Sequence, residues 1–376
     1  MPNEENQFQA KFEIAPEFRI EAPGRVNLIG EHIDYLDGWV MPAAIDQRIT
    51  VLAASDSSSG GIEVWSAEQD ATTYTLATTE FEARTRSEES WLNYLIGVFA
   101  AYAERGIKIP ACRIGIFSTL PSGAGLSSSA ALETATALLI EALTGFEISV
   151  GERALLCQKA EHECVGVPCG IMDQLTVGAG VENHVLRIDC RDLTVEPIPL
   201  PEDVCLVVAD TGVKHALGDG EYRKRREDCE AALTILEADS FRDVSLESIN
   251  QSCEELGDRL FRRAHHAVTE MLRVADFAEA LNAGQFHELG RLMREGHNSL
   301  RDNFEVSCAE LDALVDSGFE FGAERGHLGS RMTGGGFGGS TIHLVQGDAA
   351  PAFLDHLQLA YGVFFNRDLN CFVTHA

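Results

Sequence analysis

Residues 121–131 read Pro-Ser-Gly-Ala-Gly-Leu-Ser-Ser-Ser-Ala-Ala and run straight into a helix-forming stretch at 132–140. Gly123 and Gly125 allow the backbone to approach an oxyanion closely. Three hydroxyls, Ser127, Ser128 and Ser129, stand where the helix starts. A first helical turn leaves N–H groups unpaired and carries a partial positive charge. Together these make an anion site, most often for phosphate. Read alone, the same residues also describe a Ser-rich turn with an ordinary N-cap. No lysine follows the loop, so it is not a Walker A motif. Backbone N–H groups and serine hydroxyls must therefore hold any phosphate.

Other residues with chemical potential lie far off in the chain. Residues 22–35 read Ala-Pro-Gly-Arg-Val-Asn-Leu-Ile-Gly-Glu-His-Ile-Asp-Tyr. Within them Glu31, His32 and Asp34 offer three hydrogen-bonding groups in four positions. Polyol recognition needs such a cluster, because each hydroxyl both donates and accepts. Arg25 precedes them; its bland reading is a surface salt bridge. Asp173, in Cys-Gly-Ile-Met-Asp-Gln at 169–174, reads on its own as a helix N-cap. A glycine-rich run, Gly-Ser-Arg-Met-Thr-Gly-Gly-Gly-Phe-Gly-Gly-Ser, occupies 329–340.

Taken together, the three motifs at 22–35, 121–131 and 329–340 resemble those of the GHMP small-molecule kinases, and the first is similar to the galactokinase signature. The resemblance continues through residues 169–174, 221–230 and 299–308 and spans about 21–373. It implies two α+β domains with the active site in the cleft between them. It implies ATP and a small-molecule sugar as substrates, with Mg²⁺ as cofactor. The loop with Gly123, Gly125, Ser127 and Ser128 would surround the triphosphate. Ser129 would be a magnesium ligand, with Glu161 as its carboxylate companion. The segment 161–166 reads Glu-His-Glu-Cys-Val-Gly where the family has Glu-Asn-x-Phe/Tyr-Val-Gly, which leaves Glu163 as a rival ligand. Asp173 would receive the proton of the acceptor hydroxyl. Arg25 would keep that aspartate ionised and stabilise developing charge. Glu31, His32, Asp34, Gly170 and Tyr222 would meet the sugar, and Trp91 the adenine. Galactose is the expected acceptor. Ile33 and Leu36 stand where galactokinases usually carry Thr and Asn, which keeps arabinose, N-acetylgalactosamine or a uronic acid open. A non-catalytic sugar and nucleotide sensor is the other class; retention of Arg25, Asp173 and the whole serine run favours an enzyme.

The elements that must position these residues follow from periodicity. Phe18–Glu21, Ala43–Ala54, Gly60–Ala67, Thr73–Ala77, Arg113–Ser118, Val185–Asp189, Val204–Asp210, Ser340–Val345 and Cys371–Thr374 read as strands. Trp91–Arg105, Ser129–Leu143, Val150–Cys164, Glu221–Glu237, Leu260–Ala283, Gly284–Arg301, Cys308–Gly318 and Leu354–Gly362 read as helices. His265 and His266 fall on a charged helix and read as solvent-facing, and His297 has no evident chemical role. Strands and helices mix without a βαβ rhythm, which favours α+β. Prolines between 197 and 201 suggest domains at 1–196 and 197–376.

The 376 residues carry 59 acids against 29 bases, a net charge of −30. Such a surface repels nucleic acid and anionic membranes. It also repels ATP at long range, so a nucleotide site must rely on local donors and a metal. No run reaches the ~18 apolar residues of a membrane span. Ten cysteines without a Cys-x-x-Cys pair, and a polar start at 1–10, point to reduced thiols and a cytoplasmic monomer. Cys157, His162, Cys164 and Cys169 fit no common zinc spacing. Only the first ten residues read as disordered.

Overall fold

The computed structural model describes residues 3–56, 60–69, 72–76, 86–121, 123–213 and 218–376. The chain divides into two compact units. The first takes the chain up to Gly24, then Gln47–Pro121 and Ser127–Ala179; the second takes Arg25–Asp46, the short stretch ending at Leu126, and Gly180–Ala376. The expected boundary at 196/197 falls inside the second unit, within a strand at Val195–Pro199. That strand lies at the edge of its sheet, where Pro197 and Pro199 are tolerated.

Elements are numbered in chain order. The first unit is built on α1 (Glu4–Phe12), β1 (Phe18–Asn27), β3 (Pro42–Ser55), β4 (Ile62–Ser66), β5 (Tyr74–Leu76), α2 (Leu92–Glu104), β6 (Cys112–Ser118), α3 (Ser128–Thr144), α4 (Val150–Ala160) and α5 (Met172–Ala179). Its sheet runs β1-β3-β6-β4-β5. The β4–β5 pair is antiparallel and β4–β6 parallel. Of the strand expected at 73–77, Ala77 lies outside the described residues, as does Ser122 of the phosphate loop. Helix α2 buries Leu92, Leu95, Ile96, Val98, Phe99 and Tyr102, the positions its spacing picked out. It packs on α3 and α4, which also meet α5. Helix α4 opens with a capping box between Ser149 and Glu152.

The start of the chain differs from expectation. Glu4–Phe12 is a helix capped by Asn3, and Phe8 and Phe12 pack with Leu52, Ala54 and Phe117. Two phenylalanines four apart on a polar segment give a narrow apolar stripe that a composition argument misses. Gly115 of β6 makes room for it: a Cβ there would meet Phe8 at 2.7 Å.

The second unit holds two sheets. One, ordered β10-β11-β9-β12, comprises β9 (Val204–Asp210), β10 (His327–Thr333), β11 (Ser340–Gln346) and β12 (Asn370–Thr374). The other comprises β2 (Trp39–Val40), β7 (His184–Asp189) and β8 (Val195–Pro199). The helices are α6 (Gly218–Ile235), α7 (Leu246–Gln251), α8 (Cys253–Asn282, broken at Gly257), α9 (Phe286–Ser299), α10 (Ala309–Phe321) and α11 (Ala350–Phe365). Helix α8 packs on α6 and α9, and α9 on β10. A core of Val207, Leu314, Phe321, Phe353 and Leu357 joins the four-stranded sheet to α10 and α11.

Candidate active site

In the first unit the phosphate-loop serines, Glu161 and Asp173 gather at three helix ends. Helix α3 has Ser127 as its N-cap, in a left-handed conformation with φ +58°. The Ser127 side chain makes no capping bond; its hydroxyl donates to Asp173 Oδ2 instead. The first-turn N–H groups of α3 therefore have no side-chain cap and remain suited to an anion. Ser128 is exposed and Ser129 half-buried, so both hydroxyls are accessible.

Glu161 sits in a single π turn, Glu161–Val165, that replaces the expected last turn of α4. The wider turn aims one carboxylate inward, a role such bulges often have at functional sites. Glu161 is buried, and the Ser129 hydroxyl bonds to it. Glu163 is exposed and points its backbone carbonyl to Arg86, so the pair beside the serine loop is Ser129 and Glu161. The Gln174 amide donates to Glu161 Oε2 at 2.9 Å and to Glu133 Oε2 at 3.2 Å. Burial, and then the charge of Asp173, push Glu161 up to about 7. Glu133 is fully buried and is pushed well above the carboxylate range by burial and by Glu161. A hydroxyl and a carboxylate side by side are oxygen donors of the type that a hard divalent ion takes. Gly170 is buried just ahead of α5, which carries Asp173 in its first turn.

Trp91 starts α2 and lies half-buried, edge-on to Tyr74 at 5.8 Å. Its indole nitrogen is buried and has no acceptor among the described residues. The ring as a whole is not fully buried.

In the second unit the sugar motif folds against the glycine-rich run. Arg25 is buried; its Nη1 donates to the Gly125 carbonyl at 2.7 Å and its backbone N–H to Leu126. Glu31 is 2% exposed and accepts from the Gly334 N–H at 2.7 Å. Gly334 must be glycine: its φ is +82°, and a Cβ would lie 3.1 Å from the Gly125 carbonyl oxygen. Burial raises the Glu31 carboxyl, with Arg331 and Arg25 opposing. His32 Nε2 donates to the Gly335 carbonyl at 3.1 Å, and its Nδ1 faces the Tyr35 hydroxyl at 3.0 Å. Burial lowers it to about 4, so the ring is neutral and both nitrogens are engaged within the protein. Tyr222, on α6, lies with its ring tilted 5.3 Å from that of His32 and edge-on 5.4 Å from that of Tyr35. Asp34 is half-buried in the turn that follows. Ile33 and Leu36 are core residues, 0% and 6% exposed.

Four residues escaped sequence reasoning. Glu133 is a buried acid in an alanine-rich helix, a mismatch visible in the sequence. Gln174 directly follows Asp173. His266 is not solvent-facing but fully buried, and Glu270, one turn on, is equally buried. The charged surroundings of α8 suggested an outer face, yet Arg263 and Arg273 are buried with them. Their i, i+4 spacing was the available signal.

The chain is matched by the descriptions "GHMP kinases N terminal domain" over residues 93–180 and "GHMP kinases C terminal" over 277–362. The fold and the serine loop are those of this class of kinases. The "Galactokinase galactose-binding signature" matches residues 6–55. Galactokinase of Canis lupus familiaris is 42% identical over 94% of this chain and 90% of its own length. That of Chloroflexus aggregans is 41% identical over 98% and 94%. The crystal structure of Lactococcus lactis galactokinase complexed with galactose superposes with a TM-score of 0.90 at 30% identity, covering 99% of this chain and 96% of that one. The chain belongs to the galactokinase family. It is a sugar kinase, a phosphotransferase with an alcohol acceptor.

Proposed function

We propose that the protein transfers the γ-phosphoryl group of ATP to the C1 hydroxyl of galactose, giving galactose 1-phosphate and ADP. The observation that supports the reading is the Ser127–Asp173 bond at the uncapped start of α3, a carboxylate beside a helix end suited to an anion. Ser127 fixes one oxygen of Asp173. The carboxylate takes the proton of the sugar hydroxyl as its oxygen attacks the γ-phosphorus. The bond from the γ-phosphorus to the bridging oxygen breaks, and ADP leaves. Arg25 steadies the loop through Gly125 and stabilises the charge that develops on the phosphoryl group. Gly123, Gly125, Ser127, Ser128 and the first-turn N–H groups of α3 cradle the phosphates, and Trp91 lies against the adenine.

Ser129 and Glu161 would hold the magnesium ion. When bound with ATP, the ion supplies charge neutralisation to the phosphate oxygens. The sugar-binding residues would be Glu31, His32, Asp34 and Tyr222 of the second unit and Gly170 and Asp173 of the first, with His32 acting through the loop it ties to Gly335. The core placement of Ile33 and Leu36 gives the alternative sugars no support, since neither side chain is open to a ligand. All ten cysteines are free, and no described helix is long and apolar enough to cross a membrane.

The test is transfer of labelled γ-phosphate from ATP to free monosaccharides. Galactose should be labelled with equimolar ADP. If Glu31 faces the exocyclic end of the sugar, galacturonate should be labelled several hundred-fold less efficiently, because its carboxylate and that of Glu31 ~4 Å apart repel by ~4 kcal/mol at an effective dielectric of ~20. No transfer to any sugar would leave the sensor reading. Equal kcat/KM for galacturonate would remove Glu31 from the exocyclic end of the sugar.

A further inference from the structure

Helix α8 grips the backbone of Glu31 from both sides. His266 Nε2 donates to the Glu31 carbonyl at 3.1 Å, and its Nδ1 accepts from the Ser299 hydroxyl at 3.0 Å. One turn on, Glu270 Oε1 accepts from the Gly30 N–H at 2.9 Å and the Glu31 N–H at 3.3 Å. The i, i+4 spacing puts both side chains on one helix face. Burial pulls His266 down to about 3, so the ring is neutral and has a single proton to give. That ring also packs, tilted, against Phe304 at 4.5 Å, and Phe304 in turn lies 4.9 Å from the ring of His32.

The gripped peptides need such support. Gly30 has φ +96° and His32 has φ +62°, left-handed conformations on both sides of Glu31. For a residue with a side chain this conformation is uphill, and it persists where the surroundings over-determine it. Without partners for its N–H and carbonyl, the Glu31 peptide would rotate and carry both Glu31 and His32 away.

We propose that His266 and Glu270 are positioning residues for sugar recognition: they fix the rotation of the peptides flanking Glu31 and thereby the direction in which Glu31 and His32 project. This rests on the reading that the segment Glu31–Asp34 holds the sugar. Neither residue needs to touch the sugar or ATP. Their loss should therefore weaken sugar binding while nucleotide binding stays the same.

His266 is the cleaner handle, because Glu270 also neutralises two arginines. His266→Phe keeps the ring on Phe304 and removes both hydrogen bonds. His266→Gln restores a donor for the Glu31 carbonyl. The KM for galactose should rise about tenfold in His266→Phe, the scale of one lost buried hydrogen bond. The KM for ATP should stay within about twofold, and His266→Gln should recover most of the loss. Thermal unfolding establishes that each variant is folded. Glu31→Gln is measured beside them. A raised galactose KM in Glu31→Gln with no change in folded His266→Phe overturns the positioning role alone. An unchanged galactose KM in Glu31→Gln overturns the sugar reading beneath it. Galactose and ATP KM rising together in His266→Phe would mark a merely structural residue and also overturn the proposal.

Discussion

Glu133 and Glu270 are both fully buried carboxylates, one in each unit, and their surroundings are opposite. Around Glu133 stand Glu161 and Asp173, with the Gln174 amide as its hydrogen-bond partner. Around Glu270 stand Arg273 and Arg331, and two backbone N–H groups donate to it. Burial alone would raise both acids. Like charge pushes Glu133 further up, whereas the two guanidiniums outweigh burial and hold Glu270 well below the usual range. The neutralised seam is complete without a ligand. Around Glu133 the neighbouring charges are of its own sign, and the chain as a whole carries only 29 bases against 59 acids.

The largest effect expected from this contrast is kinetic. Asp173→Asn should lower kcat by ~10²–10⁴-fold, the usual cost of losing a general base. Its stability should change little, because asparagine keeps the shape of the side chain and an oxygen that accepts from the Ser127 hydroxyl. Wild-type turnover in a folded Asp173→Asn protein would sink the assignment and make the acid pocket a structural oddity.

The same contrast explains what was legible in the sequence. The serine loop and the Glu31–Asp34 cluster lie in short motifs whose residue types suggest an anion and a polyol, whereas Arg25 and Asp173, which alone read as a salt bridge and a helix N-cap, take their expected roles from the family resemblance. Helix α2 and strand β6 show plain periodicity. What stayed hidden was charge turned inward. His266, Glu270 and Arg273 lie on a helix that reads as an outer face, because the arginines that neutralise Glu270 are contributed by different elements. Strand β10 carries Ser330 and Arg331, both 0% exposed, where alternation would place apolar residues. The π turn at Glu161–Val165 inserts no breaker residue, so helical spacing ran through it unmarked. Strand β8 was masked by its prolines.

Glu270→Ala supplies the second test, now of stability. It would leave Arg331, itself 0% exposed, and Arg273 without their buried counter-charge. Removing one partner of a buried pair typically costs ~3–5 kcal/mol. Urea unfolding should show a loss of that order, far above that of Asp173→Asn. A loss below ~1 kcal/mol would mean that water reaches the seam, and the comparison between the two acids would fail.

The smallest effect concerns His266, which sharpens how complete the neutralisation is. The ring lies beside Glu270, whose negative charge favours its protonation, and beside Arg273 and His32, which oppose it. Burial outweighs them all and lowers the group from 6.5 to about 3. In the unfolded chain the same ring titrates near ~6.5. Between these values the unfolded state binds a proton that the native state refuses. The slope of unfolding free energy with pH is therefore positive there: stability is retained above ~6.5 and lost as pH falls, by about 1.4 kcal/mol per pH unit for this one group. His32, lowered to about 4 by burial, adds to the same loss. Replacing His266 with Phe removes this ring's own proton from the balance. Between pH 6 and pH 5 the variant should lose less stability than the parent protein, by up to about 1.4 kcal/mol. Parallel urea titrations at several pH values would read the difference in slope. Equal slopes would mean that His266 takes up its proton in the folded state, with Glu270 still carrying uncompensated charge, and the seam would then not be neutral.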